Sequence, residues 1–186
     1  MAVYSALSNF GVRYFLEDYT EGTLPTSGTN ELNDVLSCTL GEFTKDMKKY
    51  KTLNGDGWDV VVPLGQSQAD ATFEMVRTGE GNAYTGVAGT DAYTMLKHWF
   101  LNSVAAGGST AKKYIVEVIP RGNNTYEGTV YSVLPLKWAP GKKDTEVGQE
   151  YSFDVTPFGA PVPVVVTHTP AAGSTPESWT FAQPQG

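Results

Sequence analysis

The sequence predicts a mainly β protein, an antiparallel β-sandwich or part-barrel with one flanking α-helix, long loops and extended termini. Three observations predict it. Short runs alternate in polarity, as where Tyr151, Phe153 and Val155 interleave with Ser152, Asp154 and Thr156, and a period of two marks half-buried strands. Gly and Pro number 20 and 11, a punctuation suited to many turns. Helical spacing is confined to one convincing segment, residues 91–105.

Following the chain, a short N-terminal arm leads into a strand over Gly11 to Tyr19, where Val12, Tyr14 and Leu16 alternate with Arg13, Phe15 and Glu17. The polar TEGTLPTSGTNELN of residues 20–33 is expected as a surface loop, longer than most connections in compact domains. Asp34 to Thr44 reads as a second strand. The charged KDMKKYKTLNGDG then gives a second long loop, 44–57, ending in the turn signal Asn54-Gly55-Asp56-Gly57. Trp58 to Leu64 and Ala69 to Arg77 are β-prone.

The helix is expected over Asp91 to Ala105, with Leu96, Trp99, Phe100 and Ser103 or Val104 on one face. Thr90 or Asp91 can cap its start, and Gly107-Gly108 stops it. Beyond it, Tyr114 to Ile119, Thr125 to Leu136 and Glu150 to Pro157 form an antiparallel meander, with turns at Arg121 to Asn124 and Ala139 to Lys143. The middle strand is expected at the centre, with Gly128 marking a bulge or a close backbone approach. One domain is expected over 1–166, followed by an extended tail, 167–186, without a core of its own. Trp179 and Phe181 are unusual in such a tail and suit either docking on another molecule or packing back onto the same domain.

Composition narrows the function. A formal charge of −7 in 186 residues disfavours gripping nucleic acid by its phosphates, which takes clustered Lys and Arg. No basic segment followed by an apolar run opens the sequence, so residence in a cytoplasm is expected, and no apolar run approaches a bilayer-spanning length. The single Cys38 has no intrachain partner and reads as a small apolar residue. His98 and His168, the two histidines, lack metal-ligand spacing, and Gly79-Glu80-Gly81-Asn82 lacks the remainder of a nucleotide-binding loop. No enzyme, metal or cofactor is expected, although 20 carboxylates leave a glycosidase pair formally open.

What these features suit is a protein whose work is contact with copies of itself. In order and spacing the chain resembles the major tail tube proteins of long-tailed (siphophage-type) bacteriophages, across roughly Asp34 to Val164. The elements are Gly41-Glu42-Phe43-Thr44 before a charged loop, Trp58, Leu64-Gly65-Gln66-Ser67, the strand Ala69 to Arg77, and a helix carrying Leu96-Lys97-His98-Trp99-Phe100. The strand Tyr114 to Pro120, Gly122-Asn123-Asn124-Thr125-Tyr126-Glu127-Gly128, and Gly159-Ala160-Pro161 complete them.

The resemblance implies a structural virion protein of the tail, made in the bacterial host cytoplasm. Six copies would close into a ring, and rings would stack into a tube that conducts DNA during ejection. It implies partners besides the chain itself: the tape measure protein and the tail terminator and baseplate proteins, with DNA passing unbound. Six copies at −7 each give −42, a sign that repels phosphates from an inner wall. It also implies that the loop before Trp58 contacts the adjacent ring, which makes Lys45, Asp46, Lys48, Lys49, Tyr50, Lys51, Asp56 and Trp58 candidate contact residues. Glu127 is a candidate for the acidic lining or an intersubunit contact. The alternative is a carbohydrate-binding β-sandwich, whose exposed aromatics would stack on sugars.

Overall fold

The computed structural model describes residues 11–33, 35–51, 59–77, 92–105, 111–141, 143–144 and 148–184. Its organising element is the long strand β8, Thr125–Ala139. On one side β8 pairs with β7 (Lys113–Gly122), from Gly122↔Thr125 to Lys113↔Val133. Its other side is shared: β11 (Val162–Thr169) takes the first half, at Val162↔Val130, and β10 (Gly148–Pro157) the second, at Pro157↔Val133. The expected meander with this strand at its centre is therefore present.

From β8 the sheet extends two ways. Through β11 it reaches β12 (Ser178–Ala182) and β2 (Ser27–Gly28); through β10 it reaches β6 (Ala71–Arg77) and β3 (Val35–Thr39). β1 (Arg13–Asp18) pairs with β7, and β9 (Lys143–Asp144) with β10. Among the described residues every strand pairing is antiparallel. The protein is mainly β with one helix among the described residues, α1 (Ala92–Ala105), and no closed barrel.

Local chemistry explains the junctions. Asn123 and Asn124 have φ of 50° and 58°, the two left-handed residues of a type I′ turn, whose twist matches that of the hairpin it joins. Farther along β8 the register with β10 shifts between Asp154↔Lys137 and Val155↔Pro135. Pro135 has no N–H to donate, and Leu136 is left as the extra residue, half exposed. Gly128 lies instead at a close approach: a Cβ there would meet Val166 Cγ2 at 2.5 Å and Val164 Cγ2 at 2.7 Å.

The sheet has apolar cores on both faces. One packs Phe73, Met75, Tyr151, Phe153 and Val155 under α1, which contributes Tyr93, Leu96 and Trp99. Trp99 stacks on Phe153 at 5.4 Å and donates from Nε1 to the Ala111 carbonyl at 2.8 Å. The other gathers Phe15, Val116, Val118, Val130, Val164, Val166, Trp179 and Phe181. β1 and β7 lie between them, so Tyr14 and Leu16 serve the first while Phe15 serves the second. Such doubly covered strands lose the alternation of a half-buried strand.

One sequence expectation is corrected, and two others take a definite form. Residues 44–51, expected within a loop, form most of strand β4 (Phe43–Lys51), which pairs with β5 (Asp59–Gln68). Lysine-rich composition concealed a strand that solvent can accommodate on both faces. Residues 20–33 are tied down: Leu16 N–H donates to Asn30 O at 2.9 Å and Leu32 N–H to Tyr14 O at 2.8 Å. The buried Glu17 carboxylate also accepts from the amides of Thr29 at 2.6 Å and Asn30 at 3.0 Å. Finally, the tail packs back, because β12 completes the second core with Trp179 and Phe181.

Candidate assembly surface

The β4–β5 hairpin stands apart from the main sheet as a separate two-stranded ladder. It springs from the end of the β3–β6 pair, where Ala69 N–H donates to Glu42 O at 3.0 Å. Gly41 permits the crossing, since a Cβ at that position would lie 2.0 Å from Ala69 O. Thr44 and Ser67 share a hydroxyl hydrogen bond of 2.7 Å across the ladder. Consecutive residues Phe43, Thr44 and Lys45 are all exposed, so both faces meet solvent. Phe43 is 54% and Met47 57% exposed. An isolated hairpin is marginal in water, and this one exposes Phe43 and Met47.

Of the expected contact residues, Lys45, Asp46, Lys48, Lys49, Tyr50 and Lys51 all fall on β4. Lys45 and Lys48 are exposed. Asp56 and Trp58 lie outside the described residues. Glu127 is far away on β8, exposed, and bonded to Arg121 of the neighbouring strand. Its charge is thus compensated locally, and beside it on β11 lies the exposed Val165.

Two polar centres went unrecognised in the sequence. Glu117 is buried, and its carboxyl accepts from Tyr14 Oη at 3.3 Å and Tyr131 Oη at 3.2 Å. Burial pushes its pKa up, and the two phenolic donors only partly oppose this. Burial likewise raises both tyrosines, and pushes the nearby Cys38 thiol up to about 11, which keeps it a thiol. The signal was available: Glu117 interrupts the apolar run Tyr114 to Ile119. The second centre is His168, stacked on Trp179 at 4.0 Å, with Nε2 2.7 Å from Glu177 and Nδ1 3.3 Å from Tyr126 Oη. Arg13 covers the same indole at 5.0 Å. Both centres fasten strands together, and among the described residues no three His, Cys, Asp or Glu side chains gather as a metal site would require.

By sequence, no family model and no curated protein matches the chain. By structure, it is similar to the sheath/tube terminator of an extracellular contractile injection system in its extended state. The TM-score is 0.54 at 12% identity, over 83% of this chain and 93% of that one. It is also similar to the tube-terminating cap of the anti-feeding prophage, with a TM-score of 0.50 at 12% identity over 80% and 96% of the two chains. What is shared is the fold. Both alignments take in most of each chain, so the common architecture extends beyond a single sheet.

Proposed function

We propose that this chain is a structural subunit of a phage-like tail tube, built by contact between copies of itself. The observation that carries the reading is the β4–β5 arm, a separate two-stranded ladder whose base exposes Phe43, Thr44, Lys45 and Met47. The fold shared with two tube-terminating proteins supports the same reading. In its finer form six copies close into a ring, rings stack through the arm, and DNA passes without being gripped. The net charge of −7 per copy favours such passage.

A sugar-binding sandwich would need an exposed aromatic platform. Trp99 and Trp179 are buried, and Trp138 packs against Tyr93 and Lys97, so none of the described tryptophans supplies one.

Negative-stain microscopy of the concentrated protein tests the proposal. Rings or tubes about 100 Å across are expected, from a subunit radius of gyration of about 16 Å around a DNA-wide pore. Replacing Phe43 and Met47 with Ser should abolish stacking while changing monomer stability by no more than about 0.5 kcal/mol per site. A wild-type chain that stays monomeric at every concentration would refute it.

A further inference from the structure

At the other end of the β3–β6 pair from the arm, the sheet carries an open groove of about 320 Å³ lined by Leu36, Glu74, Met75, Glu150, Tyr151 and Ser152, among others. Met75 and Tyr151 border it but are buried with their side chains in the first core, and Leu36 stands 63% exposed beside it. Glu74 and Glu150 are exposed there, and Ser37 Oγ holds the Glu74 carboxylate at 2.9 Å. β3 ends the strand order on this side.

Groove and arm have opposite charge. β4 carries four lysines against Asp46, a net +3, which leaves −10 on the rest of the chain. They also match in character, each combining charge with an exposed large aliphatic side chain, Met47 on the arm and Leu36 at the groove. Yet within one copy they do not meet. The arm is rooted beyond Thr39↔Thr72, whereas the groove lies toward Val35↔Met75, and Phe43 and Met47 remain in solvent.

We infer that the β4–β5 arm of one copy seats in the Leu36–Glu74–Glu150 groove of a second copy, with lysines of β4 against the two carboxylates and Met47 against Leu36. The inference rests on the tube reading and names the acceptor for its stacking contact. Arm and groove are unlike surfaces at opposite ends of one strand pair, so the contact is heterologous. Each copy then offers a free arm at one end and a free groove at the other, which propagates a stack where a two-fold contact would terminate it. At about 3.3 Å per residue β4 is about 30 Å long, sufficient to cross a neighbour's β3–β6–β10 sheet. The charged part of the contact lies near solvent and weakens as salt rises.

Charge reversal tests it at low salt. Glu74→Lys with Glu150→Lys, and separately Lys45→Glu with Lys48→Glu, should each lower the assembled fraction at least about tenfold in sedimentation velocity, equivalent to about 1.4 kcal/mol. The fourfold variant should recover assembly. Independently, Leu36→Cys with Met47→Cys in a Cys38→Ala background should give a ladder of cross-linked multimers on oxidation. Assembly at the wild-type level in either reversal, or no ladder from the cysteine pair, overturns the groove and leaves the tube reading standing. A wild-type chain that never assembles overturns both.

Discussion

Trp179→Ala separates a tail that belongs to the fold from one that docks elsewhere. Trp179 is 4% exposed. It lies against the His168 ring and the Arg13 guanidinium, with Tyr126 edge-on at 5.0 Å and Phe15 tilted at 5.8 Å. Burying a Trp removes roughly 150–250 Å² from water, which at about 25 cal/mol per Å² is about 4–6 kcal/mol as an upper bound. Losses for aromatic-to-Ala changes in cores run at about 3–5 kcal/mol, so about 4 kcal/mol is expected. With a urea slope of about 2 kcal/mol per molar, the midpoint should fall by about 2 M. Equilibrium denaturation of the monomer, followed by far-UV circular dichroism, measures it. A loss below about 1 kcal/mol, accompanied by failed assembly, would refute the placement of β12 in the core and return Trp179 to a docking role.

Two further predictions rest on the interior. Glu117 has a folded pKa raised by burial, with Tyr14, Tyr131 and Cys38 around it and the Glu127 charge nearby. Its contribution is therefore fully present below the ordinary carboxylate range and is lost as pH rises through the raised value. Glu117→Gln, neutral at every pH, should gain stability relative to wild type as pH rises above the ordinary carboxylate range, and parallel denaturation midpoints would contradict this. Gly128→Ala places a methyl against the branched carbons of Val164 and Val166, an overpacking expected to cost about 1–3 kcal/mol by thermal unfolding; an unchanged midpoint would show that β11 yields freely.

Much of the fold was legible because it is written in local patterns. Tyr151, Phe153 and Val155 alternate with polar neighbours and do form a half-buried strand. The spacing of Leu96, Trp99 and Phe100 marks the helix face that meets the core. The candidate surface was legible in part, since the basic segment was singled out as a contact element although its strand character was not. Its lysines suppress the apolar signature of a strand, and pairing with β5 supplies the backbone partners that make it one. The groove could not be found this way, because Leu36, Glu74 and Glu150 are distant in sequence and become neighbours only through the β3–β6–β10 pairing.

By itself the sequence determined a mainly β, antiparallel chain with one helix, and the position of the Asn123-Asn124 turn. Those are decisions taken within a few residues, where backbone preference and side-chain period suffice. Tertiary structure alone decided that β1 and β7 are covered on both faces, that Trp179 and Phe181 return to a core, that Glu17 binds the 29–30 amides, and that Glu117 sits between two phenols. Each depends on which distant strand arrives as a neighbour. Burial is a property of that arrival, and a polar or aromatic side chain acquires its role only once the partner is in place.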